Sequence, residues 1–93
     1  MNKKKLLIAR SQVDKLDNEI FYLIKKRTTI IKYMLSLKAF KKQIIDHKRI
    51  KEILKKVKNQ SIKNRIDPKI TSRIWKSMIW SYVDFQRRNF KKK

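Results

Sequence analysis

The chain has 93 residues, room for one domain with a modest core, and at this size many folds lean on a partner subunit or on covalent staples. It has no cysteine and one histidine, His47, read as a surface residue, which excludes disulfides and thiol nucleophiles and argues against a metal centre. Glycine is absent and proline occurs once, so there is no glycine-rich phosphate loop and no supply of tight hairpins; an all-α fold follows. The formal charge of +21, from 28 Lys+Arg against 7 Asp+Glu, suggests anionic partners in general, but the lysines are scattered among abundant Ile and Asn along the whole chain. The positions of particular cations therefore say more than their sum.

Taken in order, Met1–Lys5 with the short apolar run Leu6–Ala9 reads as a basic tail over residues 1–7, matched by another at 90–93. The run is too short for a signal peptide, and no later stretch is long enough to span a bilayer, so a soluble cytoplasmic protein is expected. The first helix is predicted from Ile8 to Lys38. Its apolar seam, Val13, Leu16, Ile20, Leu23, Ile30, Ile31 and Met34, recurs at three- and four-residue steps. Arg27 and Lys38 fall in line with that seam, about three turns and roughly 16 Å apart on a continuous helix. A cation on a buried face needs an anion, because desolvating it unpaired costs several kcal/mol. The seven carboxylates are too few to serve them all. A helix of this length cannot fold back on itself and must be covered by the rest of the chain, by a second copy, or by both.

Residues 39–45 form the predicted connection, and Asp46 sits where an N-cap belongs. Ile50, Ile53, Leu54 and Val57 give a short second helix ending near Lys58, and the polar residues from Asn59 to Ile66 read as a loop. Asp67-Pro68 is the clearest local signal, an N-cap acceptor followed by the residue favoured at the first helical position. The third helix is predicted from Pro68 to about Asn89, with Ile70, Ile74, Trp75, Met78, Ile79, Tyr82, Phe85 and Gln86 on its inward side. The whole is one domain over residues 1–93.

Arg10 precedes Arg27 by seventeen residues, about 260° round the helix and roughly 25 Å along it. One copy of the helix cannot bring both to one small site, so a functional Arg10 serves a neighbouring subunit.

The ordered set of Arg10, Arg27 in Lys-Lys-Arg-Thr-Thr-Ile-Ile, Lys38, Ile45-Asp46-His47-Lys48-Arg49, Ile74-Trp75 and Tyr82-Val83-Asp84-Phe85-Gln86 resembles the all-helical chorismate mutase family (type II). The resemblance covers nearly the whole chain. It implies an intertwined homodimer of three-helix chains with two active sites, each completed by Arg10 of the partner. It further implies that Arg27 and Arg49 bind substrate carboxylates, that Lys38 and Gln86 meet the ether oxygen, and that Asp46 helps set the ring hydroxyl. The implied reaction, chorismate to prephenate in aromatic amino acid biosynthesis, is pericyclic and uses no cofactor and no metal. It asks for a dianion held in a compact conformer and donors aimed at the oxygen that gains charge. Guanidinium forks suit the carboxylates, and an ammonium with an amide suits the oxygen.

Two positions depart from the mutase pattern. Ile50 stands where a glutamate usually follows the arginine of the second helix, and Tyr82 stands where a small polar residue is common. Both resemble the branch of the family that acts as isochorismate pyruvate lyase, forming salicylate and pyruvate, and mutase and lyase stay open at this point. A third reading, from net charge alone, is a basic helical nucleic-acid-binding protein; it asks for exposed aromatics among cations, whereas the aromatics here fall mainly on the inward face of the third helix. Plain readings stand beside the functional ones. Arg27 and Lys38 would then snorkel into water, Asp46 would be only a helix cap, Arg10 and Arg49 would be ordinary surface cations, and Trp75 and Tyr82 would be core.

Overall fold

The computed structural model describes residues 2–91, so the outermost tail residues Met1, Lys92 and Lys93 lie outside it. Three helices make up the fold, α1 (Lys3–Ser36), α2 (His47–Lys63) and α3 (Pro68–Asn89), with a 3₁₀ turn at Lys41–Gln43 and no strand among the described residues. The all-α expectation with long, short and medium helices holds. The chain divides into two units, the first ending at Tyr33 and the second beginning at Met34.

The first unit is helix from Lys3 onward, five residues earlier than the apolar seam alone predicted. Asn2 is the reason: its Oδ1 accepts from the Lys5 amide at 3.0 Å and its carbonyl from the Leu6 amide at 3.1 Å, so it caps residues read as a tail. Further on, the hydroxyls of Thr28 and Thr29 donate to the carbonyls of Ile24 and Lys25, at 2.8 Å and 3.2 Å. The expected seam is present in sequence but bare in the single chain. Val13, Leu16, Ile20, Leu23 and Ile30 are each at least 54% exposed, and only Ile31 is half-buried.

The second unit has the core. Leu35, Ile44 and Val83 cluster with Ile45 and Phe90 against them, and Val57 and Ile79 are buried on α2 and α3. α1 ends at Ser36, two residues short of the prediction, because the Leu37 and Lys38 amides turn to the carbonyls of Met34 and Leu35 three residues back. The next segment is held by Gln43, whose Oε1 accepts from the amides of Ala39 and Phe40, both at 2.8 Å. Lys38 thus sits past the helix, and the rise along a continuous helix does not give its distance from Arg27.

Asp46 caps α2 as predicted, its Oδ1 accepting from the Arg49 amide at 3.0 Å. α2 runs five residues beyond Lys58, through residues read as a loop. Ser61 explains it: its hydroxyl donates to the Val57 carbonyl at 2.7 Å and pairs with Thr71 of α3 at 2.5 Å, so a polar residue is buried with its bonds made. The helix then ends in a Schellman pair, Ile66 amide to Ser61 carbonyl and Arg65 amide to Ile62 carbonyl, with Arg65 left-handed at φ 57° where glycine is usual. α3 begins where Asp67-Pro68 predicts, Asp67 accepting from the Lys69 amide at 2.9 Å. Its buried stripe is Ile79, Val83 and Gln86, with Trp75, Met78, Tyr82 and Phe85 half-buried. Ile70 and Ile74, expected inward, are exposed. Ile74 lies about 140° round the helix from Ile79, off the face that meets the core.

Candidate active site

The second unit gathers several of the residues singled out by spacing. The side chain of Lys38 leaves the segment after α1 half-buried, and its Nζ donates to Oε1 of Gln86 at 2.7 Å. Gln86 is only 6% exposed. Its Nε2 donates in turn to the Tyr82 carbonyl one turn earlier on α3, at 3.2 Å, which fixes the amide with its oxygen toward Lys38. A lone amide at the end of an apolar stripe would be costly if unpaired. Here both of its ends are engaged.

Burial lowers the Lys38 ammonium below the ordinary lysine value, and the Asp46 carboxylate pulls it back up. Asp46 is exposed, and it carries two tasks, capping α2 and opposing the desolvation of Lys38. The cap and the site readings of this residue are therefore compatible.

Arg49 is placed one turn into α2 with its guanidinium in water, 65% exposed and 3.7 Å from Glu52. Glu52 was not singled out from the sequence, although its three-residue spacing from Arg49 is the signal that would find it. Ile50, next to Arg49, is half-buried, as is Tyr82. Arg10 and Arg27 belong to the first unit, Arg10 exposed and Arg27 half-buried. The structure thus joins Lys38, Gln86 and the Tyr82 backbone directly, and Asp46 to Lys38 by charge.

What such a group can do is limited by its chemistry. It offers an ammonium oriented by an amide, and it suits an anion that develops charge on oxygen. Among the described residues no cluster of three or more His, Asp or Glu side chains could hold a metal ion, and no helix is long and apolar enough to cross a membrane.

The family model for chorismate mutase type II matches residues 9–87. The chain belongs to that family. Its activity is accordingly of the chorismate mutase type. No curated protein and no solved structure gives a significant match.

Proposed function

We propose that the protein rearranges chorismate to prephenate, in a homodimer whose two sites each take Arg10 from the partner's first helix. The observation that carries this reading is the buried Gln86 amide holding the Lys38 ammonium at 2.7 Å. In the reaction the carbon–oxygen bond of the enolpyruvyl ether breaks as a carbon–carbon bond forms, and negative charge grows on the ether oxygen. Lys38 and Gln86 meet that oxygen. Arg27, Arg49 and the partner's Arg10 hold the two carboxylates in the compact conformer, and Asp46 faces the ring hydroxyl while opposing the desolvation of Lys38. Positioning and charge stabilisation are the whole of the catalysis, since no nucleophile or general base takes part. To meet the oxygen, the Lys38–Gln86 hydrogen bond has to give way to bonds to substrate.

The bare seam of the first helix supports the dimer. Its exposed Val, Leu and Ile side chains would be worth roughly 1.5–3 kcal/mol each once fully covered. A second copy of the same helix is a cover of matching pattern. In this reading residues 1–93 act as a single chorismate mutase-like domain.

A second reading, isochorismate pyruvate lyase, is favoured by Ile50 and Tyr82, both half-buried in the unit that holds Lys38 and Gln86. An aliphatic side chain at residue 50 removes the glutamate that would accept from the ring hydroxyl. Incubating the purified protein with chorismate and, separately, with isochorismate decides between them. Loss of chorismate absorbance without fluorescence supports the mutase, salicylate fluorescence from isochorismate supports the lyase, and turnover of neither refutes both.

A further inference from the structure

α2 and α3 pack against one another in the second unit and leave a groove of about 620 Å³ between them. Lys55 and Lys58 of α2 line one side, and Lys69, Arg73 and Lys76 of α3 the other. None of its lining residues is acidic, and none of the five cations is ion-paired among the described residues. The carboxylates nearest in sequence have other partners: Glu52 lies 3.7 Å from Arg49, Asp67 caps α3 through the Lys69 amide, and Asp84 is bound to Arg88 at 2.8 Å. Five like charges facing one another in a groove repel, and they are stabilised by a polyanion that shares its charge among them.

The concave surface continues past the groove, because Lys76 also lines the next hollow with Trp80, a hollow whose one carboxylate, Asp84, is held by Arg88. Lys69, Arg73, Lys76 and Trp80 follow at steps of four, three and four, a single stripe of α3 about 16 Å long. Trp80 is 46% exposed. Phe21, Tyr22, Tyr33 and Phe40 are exposed as well, so the aromatics are not mainly inward; Trp80 is the one that lies on α3 beside these cations, outside the buried stripe.

We propose that this stripe and groove bind single-stranded nucleic acid, at a place separate from the Lys38–Gln86 site. The phosphates run between the two cationic rails, and a base stacks on Trp80. Rails on neighbouring packed helices, with axes about 8–10 Å apart, suit the width of one backbone. An exposed ring offers an unpaired base a stacking face that a duplex would not use. The proposal stands on these residues and does not depend on which pericyclic reaction the other site runs.

The test is fluorescence anisotropy of a labelled oligo(dT) 15-mer with the full-length protein over a range of salt. Engagement of four or five phosphates gives a log–log salt slope of about −3. Replacing Lys58, Lys69 and Arg73 together by Gln is expected to weaken binding at least tenfold and to flatten the slope by about two. Lys3, Lys4 and Lys5 replaced by Gln remove the same charge from an exposed stretch elsewhere and are expected to leave both nearly unchanged. Trp80→Ala is expected to cost roughly tenfold with the slope intact. Equal losses in the two triple variants, or a Trp80→Ala protein that binds like the parent, would overturn the proposal in favour of diffuse attraction by net charge. Competition by heparin as effective against Trp80→Ala as against the parent counts the same way.

Discussion

The two units of this chain both carry apolar residues at helical spacing and end differently. Up to Tyr33 the helix carries a seam of apolar residues as regular as any in the protein, yet none of its described residues is buried. From Met34 onward the apolar pattern is less regular, but Leu35, Ile44, Val57, Ile79 and Val83 are buried and enclose two polar residues, Ser61 and Gln86, with their hydrogen bonds made. The difference teaches that periodicity reports which face a helix offers, and only the rest of the chain or a second chain decides whether that face is covered. The second unit has its cover within one chain. The first offers a face that asks for another.

The largest expected effect falls on the Lys38–Gln86 pair. Lys38→Ala should lower kcat/KM for chorismate by about a hundredfold to a thousandfold, the scale of losing one preorganised donor, with the circular dichroism spectrum unchanged. Retained turnover would show that the pair is structural only. The same pair predicts a pH limb. Activity needs the ammonium, and burial lowers its pKa, so kcat/KM should fall with rising pH below the value of 10.5 ordinary for lysine. The stability sign is opposite: the unfolded chain binds the extra proton between the folded pKa and 10.5, so this group's contribution to stability rises with pH through that window. An alkaline limb at the ordinary lysine value would argue against the burial.

Next come two substitutions that set the units against each other. Leu16→Glu puts a charge into the seam of the first helix, where its cost, several kcal/mol, is felt only if a second copy covers that face. Size-exclusion chromatography should then show monomer at concentrations where the parent is dimeric. Ile79→Ala acts inside the second unit and should cost about 2–5 kcal/mol in urea unfolding at any protein concentration. If both changes depend on concentration alike, the units are not distinct in the way described. The smallest effect is at the α2 C-terminus: Arg65→Gly should stabilise the protein by about 0.5–1 kcal/mol, since glycine takes the left-handed conformation without the β-carbon clash.

Much of the fold was legible where a local rule and the tertiary structure agree. Asp67-Pro68 starts α3 to the residue, and Asp46 caps α2, because both signals act within one turn. The misses come from interactions that periodicity does not encode. Asn2 extends α1 toward the start of the chain through its own cap, and Ser61 carries α2 through a polar stretch by pairing with Thr71 ten residues away. Lys38 was read as the end of a helical seam, and it is a residue of the connection, placed by 3₁₀-type bonds. Its meeting with Gln86, across a separation of 48 residues, is a tertiary fact that spacing alone could not give. The resemblance set the two side by side; the hydrogen bond gives them a geometry. Arg10 and Arg27 stay on the first unit, and the role proposed for Arg10 needs a second copy of the chain.

The claim that joins the two units is that each site is shared between chains, and mixing variants tests it most directly. Arg10→Ala and Lys38→Ala should each be nearly inactive alone, because in each homodimer both sites carry the defect. Unfolded together and refolded, they should form heterodimers in which one site carries both defects and the other carries none. The account predicts recovery of chorismate turnover toward about a quarter of the parent's, since half of the dimers are mixed and half of their sites intact. No recovery on mixing, or full activity in Arg10→Ala by itself, would contradict it.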